Sequence, residues 1–438
     1  MNILLLGSGG REHAYAYFIS QSSLLNKLFI APGNAGTSFV GENVDLNPLN
    51  FEEVWNFCIA QKIDLLVPGN EDPLCAGITD FIQVKNEEIG SRKVVVAGPD
   101  QFCSQLEGSK DFAKEFMVDH QIPTAKYQTF DEHNLSSSDA FLASLEPPYV
   151  LKADGLAAGK GVIITEDLQE AKNVLNQMIL GKMFGQSSSK VVVEEFLKGI
   201  EISVFAVSDG DDYKILGSAK DYKRIFDHDL GPNTGGMGAI SPVPFADISF
   251  MKKVEDDIIR PTFKGLAEKG HPFRGFLFLG LMNVNGEPKV IEYNVRMGDP
   301  ETEAIFPRLE CDMIELLLSI AKGGISEIDF ELKPQTAATV FSVAGGYPSS
   351  VEKGHEISFT SPKIAGKMPD QDGYIFHAGT KLADQKIVTN GGRVIAVTYL
   401  GDSIIDATEK AYELLSKVQF EGKFNRTDIG KDLLKFTQ

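Results

Sequence analysis

The stretch from Val290 to Glu303, V-I-E-Y-N-V-R-M-G-D-P-E-T-E, concentrates the residue types that can do chemistry. Glu292 and Asn294 are two apart, so on an extended strand their side chains leave the same face. A carboxylate and an amide oxygen facing one way suit a hard cation, which takes oxygen ligands and keeps others for water and phosphate. Arg296 continues that face while the extension holds. Asp299-Pro300-Glu301 then breaks the strand, and a helix can start at Glu301. A polar strand end with a solvated turn is the plain alternative for Glu-x-Asn alone. Arg296 and Asp299 in the same run favour a site.

A second run carries cations. Pro148–Lys152 reads as a strand delivering Lys152, followed by A-D-G-L-A-A-G-K-G-V, which contains Lys160 and Gly161. Small residues and glycines let the backbone lie close over a polyphosphate, and the lysines supply charge. It is not a Walker loop, because Gly161 stands where a Ser or Thr would hold the metal. A mobile hairpin tip without a ligand is the alternative. Val191–Leu197 is an apolar strand that turns acidic at Glu194 and Glu195. Its hinge into Gly199-Ile200-Glu201 has free backbone groups that can read an adenine edge, while Glu201 can accept from ribose hydroxyls. Taken alone, those carboxylates read as a solvated acidic edge.

These residues need elements to position them. Asn2–Leu6 is a strand, Gly7-Ser8-Gly9-Gly10 a tight turn, and Arg11-Glu12-His13-Ala14 the opening of a helix. Unpaired N–H groups and the helix dipole make such a start an anion site. A dinucleotide fingerprint would need glycine at position 12, where Glu12 stands. Ile63–Val67, ending in Pro68-Gly69-Asn70-Glu71, and Val94–Ala97 are further strands of a parallel sheet. A helix starts at Gly108-Ser109-Lys110 and runs to about Asp119. Asp229–Ser241 is a long glycine-rich loop, Phe250–Gly270 a helix, and Gly275–Val284 an apolar strand joined to the opening stretch by an Asn285-Gly286 hairpin. Thr336–Ala344, Tyr374–Thr380 and Arg393–Tyr399 are strand-like, and Ser403–Lys417 is helical. This tail shows no catalytic cluster and is expected to pack against the site from one side.

The composition bounds the partners. A chain of 438 residues holds two to four domains, and 43% hydrophobic content is ordinary for a protein with real cores. A net charge of −19 argues against a nucleic-acid partner. No apolar run approaches a membrane span. Cys58, Cys75, Cys103 and Cys311 form no C-x-x-C and suggest reduced thiols in a cytoplasmic protein. Nothing in the sequence calls for an obligate protein partner.

Together these stretches resemble the phosphoribosylamine–glycine ligase (glycinamide ribonucleotide synthetase) family of ATP-grasp enzymes, over nearly the whole chain. The matching pieces are Gly7–Ala14, Lys152–Val162, Glu194–Leu197, Asp221–Arg224, Gly231–Gly238, Arg296–Glu303 and Arg426-Thr427-Asp428-Ile429-Gly430. The resemblance implies a multidomain α/β and α+β fold. Its parts would be an N-terminal parallel-sheet domain at 1–102, a central ATP-grasp fold at 103–330 with a mobile lid at about 124–193, and a small α+β domain at 331–438. It implies ATP between two sheets, with Lys110 and Lys152 near its phosphates and Lys160 and Gly161 over them. Glu194, Glu195, Phe196 and Leu197 would lie at adenine, Glu201 at ribose, and Glu292 and Asn294 on Mg²⁺ or Mn²⁺.

The implied reaction, a step of purine synthesis, joins glycine to 5-phosphoribosylamine and cleaves ATP to ADP and phosphate through glycyl phosphate. Gly9, Gly10, Arg11, Glu12, Asn70 and Glu71 fall toward the acceptor, and Asp221, Lys223, Arg224 and Gly298 are further substrate contacts. Asp221 and Asp299 are candidates for the glycine ammonium. Arg296, with Lys152 and Asp299, is the catalytic candidate, placed to neutralise an acyl phosphate and the tetrahedral intermediate. The sequence departs from the family pattern at Asn70, where Pro is usual, and at Met297, where Leu or Phe is usual. Gly275–Val284 offers no third acidic metal ligand, so water or phosphate is expected there. Two alternatives stay open: another ATP-grasp carboxylate–amine ligase or carboxylase with a different acceptor, and a nucleotide-binding regulatory protein without turnover. The acceptor site separates the first, and turnover the second.

Overall fold

In the computed structural model, which describes residues 1–90, 94–157, 161–360 and 372–437, short apolar strands each followed by a helix build the first layer. Asn2–Gly7 lies at the centre of a five-stranded parallel sheet, between Lys27–Pro32 and Leu65–Pro68. The chain leaves the sheet in opposite directions from these neighbours, so a crevice opens beyond the carboxyl ends of Asn2–Gly7 and Leu65–Pro68. The helices Gly10–Ser20 and Glu71–Cys75 start there, side by side.

Two antiparallel sheets follow. Tyr127–Phe130, Val191–Glu195, Tyr149–Ala153 and Val162–Thr165 form a four-stranded sheet in that spatial order. Its inner residues, among them Leu151, Val191 and Val193, bury against Leu175 and Met178 of helix Leu168–Ile179, a separate core. The larger sheet has eight strands, in the order Glu287–Asn294, Arg274–Val284, Ile200–Asp209, Tyr213–Asp221, Gly238–Ser241, Thr336–Val343, Arg393–Gly401 and Gly373–His377. Residues beyond 331 therefore extend the central sheet, because Gly238–Ser241 pairs directly with Thr336–Val343. The last strand also meets the first layer: the His377 N–H donates to His13 Nδ1 at 2.7 Å, and Asn34 Nδ2 donates to the His377 carbonyl at 2.7 Å.

The region expected to be one long glycine-rich loop is more ordered than its composition suggests. Leu230–Asn233 folds back on Arg224–Phe226, and Gly238–Ser241 joins the large sheet. Gly236 between them has φ +110°, and a Cβ there would lie 2.4 Å from Pro300 Cδ. Glycine is required by both conformation and space. The expected helix at 250–270 is present as Ile248–Val254 and Arg260–Glu268 with one π turn, Glu255–Ile259, between them.

Candidate active site

A cavity of about 510 Å³, a size suited to a nucleotide, lies between the two antiparallel sheets. Gly161, Val162 and Glu194 face it from the small sheet and its turn, and Phe278, Glu292 and Asn294 from the large one. Glu292 pairs with Gly280 and Asn294 with Phe278, with a register shift that leaves Ile291 as the extra residue of a bulge. Gly280 is small enough for Glu292 to lie across it: a Cβ there would stand 3.0 Å from Glu292 Cγ. Asn294 Oδ1 accepts from Arg296 Nη2 at 3.1 Å, and Asn294 Nδ2 is buried without a partner among the described residues. Two oxygens on one strand face fit a hard cation whose remaining positions go to phosphate and water. Among the described residues no cluster of three or more His, Cys, Asp or Glu side chains could hold a metal unaided.

The cationic wall comes from helix Lys110–Asp119. Ser109 caps it by accepting from the Phe112 N–H at 3.1 Å, and Asp154 accepts from the Asp111 N–H at 2.8 Å. Lys110 and Lys114, one turn apart, both line the cavity. Lys110 reaches the Gly155 carbonyl at 3.4 Å, and burial, together with Lys152, lowers its pKa against the pull of Glu292. Lys114 is 2% exposed, and burial lowers its pKa to about 8 although Glu194 stands 3.1 Å away. Lys114 was not anticipated, and its position four residues after Lys110 was the available signal. Lys152 lies behind this wall, 3.0 Å from Glu194 Oε1 and 3.3 Å from the Ile291 carbonyl. Glu194 is thus held between two ammonium groups.

Arg296 is held by two carboxylates. Nε donates to Glu71 Oε2 at 3.1 Å, and Nη2 to Glu107 Oε1 at 2.6 Å. Glu107 also accepts from the Val295 N–H at 2.8 Å; burial pushes its pKa up to about 7 against Arg296. Glu71 therefore reaches the segment just beyond strand Glu287–Asn294. Asn70, next to it, has a buried Oδ1 without a partner among the described residues. Arg11 is turned inward, donating to Glu12 Oε1 at 2.6 Å and to the Met297 carbonyl at 3.1 Å. Glu12 accepts from the Gly9 N–H at 2.6 Å, so a carboxylate already occupies part of the helix start.

On the opposite wall, Lys223 Nζ stands 2.8 Å from Glu201 and 3.9 Å from Asp221. Desolvation lowers the Lys223 pKa, but Asp221, Glu201 and Glu292 outweigh it and raise it well above the usual lysine value. Burial raises the Asp221 pKa. Glu301, which accepts from Ser203 Oγ at 3.0 Å, is pushed up to about 7 by burial and Asp221. Gly298 makes room for it: a Cβ there would lie 2.3 Å from Glu301 Oε2. Arg224 is exposed and donates to the Gly231 carbonyl at 2.6 Å on the hairpin. Glu195 lies at the edge of the small sheet, 3.7 Å from Lys289, with Leu197 half-buried and Phe196 exposed beyond it. Lys160 lies outside the described residues.

A second cavity, about 340 Å³, lies between the first layer and the C-terminal strands. Ser8, Gly9 and Asn34 line one side, and Thr380, Asn390 and Arg393 the other. Asp299 lines both cavities. Arg393 Nη1 stands 3.0 Å from Asp299 Oδ1 and donates to the Asp299 carbonyl at 3.0 Å. The tail therefore contributes a site residue, which sequence reasoning missed because Arg393 opens an otherwise apolar strand.

A parallel first layer, a cavity between two antiparallel sheets and a cationic helix at its wall define an ATP-grasp protein. Campylobacter jejuni biotin carboxylase, solved as a β,γ-ATP complex, shares this fold at TM-score 0.74, over 96% of this chain and 92% of its own, with 13% identity. Family models for phosphoribosylglycinamide synthetase match residues 1–107 (N domain), 108–302 (ATP-grasp domain) and 337–432 (C domain). The chain belongs to the phosphoribosylamine–glycine ligase family. It is 43% identical over 436 residues to the phosphoribosylamine–glycine ligase of Leptospira interrogans strain Fiocruz L1-130, covering 98% of each. It is 42% identical over 434 residues to that of Vibrio vulnificus strain CMCP6, again 98% of each. The crystal structure of the Thermotoga maritima enzyme aligns at TM-score 0.83 with 36% identity, over 98% of this chain and 100% of that one.

Proposed function

We infer that this protein joins glycine to 5-phosphoribosylamine, with ATP cleaved to ADP and phosphate, as a step of purine biosynthesis. The observation that carries the reading is the meeting of two cavities at Asp299. A ligation needs an activated carboxylate and an amine delivered from different sides to one point. The larger cavity, with Lys110, Lys114 and Arg296 at its walls, suits a triphosphate and glycine. The second, opening on the turn at Ser8 and Gly9, suits a sugar phosphate. Family membership over the full chain supports the same assignment.

A carboxylate is a poor electrophile, so one oxygen must first become a better leaving group. Transfer of the γ-phosphoryl to glycine gives glycyl phosphate, which the amine then attacks. A bound Mg²⁺, or Mn²⁺ on the same oxygens, would neutralise phosphate charge and orient the γ-phosphoryl. Glu292 and Asn294 would hold it. Lys110 and Lys114 bind phosphate oxygens, with Lys152 keeping Glu194 in place. Arg296, fixed by Glu71 and Glu107, faces the charge that grows on the carbonyl oxygen, so little reorganisation is needed at reaction. Asp221 is our choice for the glycine ammonium. The strand end at Glu195–Leu197 supports an adenine contact through its backbone, and Glu201 a ribose contact. The limits of the family matches support our division of the chain near 102 and 331. Four free thiols and the absence, among the described residues, of any helix long and apolar enough to cross a membrane support a cytoplasmic setting.

The test is isotopic. Glycine labelled with ¹⁸O in its carboxylate should pass one label to inorganic phosphate, with ADP as the nucleotide product. Label in AMP, with pyrophosphate released, overturns the route.

A further inference from the structure

Asp299 and Glu303 stand one helical turn apart at the start of helix Glu301–Ile305. Both crowd the glycine turn of the first layer. A Cβ on Gly9 would lie 3.1 Å from Asp299 Oδ2, and one on Gly10 would lie 2.3 Å from Glu303 Oε1. At Gly9 the nearest atom to such a Cβ is Glu12 Oε2, at 2.9 Å, so three carboxyl groups crowd this turn.

The two acids differ in exposure. Glu303 is 0% exposed, and neither of its carboxyl oxygens has a hydrogen-bond partner if both acids are read as ionised. Two adjoining carboxylates cannot donate to each other and repel; one proton converts them into a hydrogen-bonded pair. Burial decides its place. Glu303 is pushed well above the ordinary carboxylate range, by burial first and Asp299 second. Asp299 opens on both cavities and has Arg393 Nη1 3.0 Å from Oδ1, so it is the ionised member. Other charged groups facing the pair are Arg11 and Glu12 from helix Gly10–Ser20, and the Tyr347 phenol stands near Arg393.

Resting on the reading above, with the acyl phosphate in the larger cavity and the amine from the second, we propose that Asp299 accepts the proton released when the amine attacks, and that Glu303 and Arg393 are the positioning residues that keep it anionic and aimed between the cavities. The nitrogen lone pair forms the N–C bond to the carbonyl carbon, and the C=O π pair moves onto oxygen. Collapse of the tetrahedral intermediate expels phosphate with the C–O bonding pair. The surplus proton on nitrogen passes to an Asp299 oxygen and then to water. No oxidant, reductant or further reactant is needed. The site is of general-base type, in which a positioned carboxylate contributes about 100-fold or more.

The test separates the two half-reactions. Exchange of ¹⁸O between the β,γ-bridge and non-bridge positions of ATP, with glycine but no acceptor, reports phosphoryl transfer alone. Asp299→Asn should keep that exchange within about threefold of wild type while product formation with phosphoribosylamine falls about 100-fold or more. Loss of exchange together with a raised KM for glycine makes Asp299 an ammonium site and overturns the proposal, as does an unchanged rate of product formation. Absence of exchange in the wild-type enzyme is a different failure, that of the acyl phosphate itself. Glu303→Gln carries the test if Asp299→Asn does not fold. It can still donate one N–H to Asp299 but cannot ionise, so it should retain product formation and shift its pH profile. A profile identical to wild type overturns the positioning role.

Discussion

Arg296 Nε and Glu71 Oε2 stand 3.1 Å apart across 225 positions of the chain. The contact joins the segment just beyond strand Glu287–Asn294 to the crevice of the parallel sheet. Arg296 therefore has its direction set by the fold, which is what a charge-stabilising group needs.

That contact should be visible in acid. Burial alone would raise the Glu71 pKa, but Arg296 and Arg11 outweigh it and hold it at about 2, from an ordinary 4.5. The folded pKa is depressed, so the stabilisation is complete above about pH 4.5 and is lost as pH falls toward 2. At about 1.4 kcal/mol per unit, the ceiling is about 3 kcal/mol. Denaturant unfolding between pH 6 and pH 2 should show a steep loss in wild type that is shallower in Glu71→Gln. Parallel curves would remove Glu71 from the ion pair.

Lys114 and Lys152 share Glu194, so single and double removal should differ in kind. Lys114→Met leaves the buried carboxylate with one partner and should lower stability by about 3 kcal/mol. Lys114→Met with Glu194→Gln removes the stranded charge and should recover part of that loss, measured as a double-mutant cycle. Lys114→Met should also raise the ATP KM at least about tenfold, because a cavity-lining cation is gone. Additive stability losses and an unchanged KM would make Lys114 a structural lysine only.

How much of this was readable beforehand depends on distance along the chain. Glu292 and Asn294 share a face because a strand alternates and the bulge at Ile291 precedes both, and both line the cavity. The Ser109-capped helix was legible from its cap and following apolar positions. Glu107, Glu301 and Arg393 were not. Glu107 and Arg393 are single polar residues in ordinary elements, Glu301 reads only as a helix start, and the contacts of all three exist through partners brought near by the fold. The glycines at 9 and 10 answer a further demand that is invisible locally: Glu12, Asp299 and Glu303 lie where a Cβ at either position would stand.

The proposed metal ligands Glu292 and Asn294 give a direct prediction. Glu292→Gln should raise the Mg²⁺ concentration for half-maximal activity at least about tenfold, since one of two protein oxygens loses its charge. Its melting temperature should stay within about 1 °C, a change of no more than about 1 kcal/mol at this chain length. Chelation of divalent ions should abolish turnover of wild type and leave its fold intact. A variant with wild-type Mg²⁺ dependence would exclude Glu292 as a ligand.

The last prediction concerns the far end of the chain. Arg426 is 1% exposed, and its guanidinium donates to Asp229 at 2.7 Å, to Asp428 at 2.8 and 2.9 Å, and to the Arg224 carbonyl at 3.1 Å. It lies over the Tyr222 ring, 5.2 Å from its centroid, and the Tyr222 hydroxyl donates to Asp432 at 2.6 Å. Thr427 N–H adds a bond to Asp227 at 2.8 Å. Residues 222–234 are thereby tied to 426–432, and they carry Lys223 and Thr234 at the cavity wall. The glycines there favour many conformations, so the tie selects one. Arg426→Met keeps the stem but leaves Asp229 and Asp428 without their cation, and should cost about 3 kcal/mol. Before global unfolding, hydrogen exchange at residues 227–235 should quicken while the parallel sheet stays protected. Because Lys223 and Asp221 border this segment, the glycine KM should rise more than kcat falls. Unchanged exchange at 227–235 would mean that the glycine-rich segment holds its shape without the C-terminal tie.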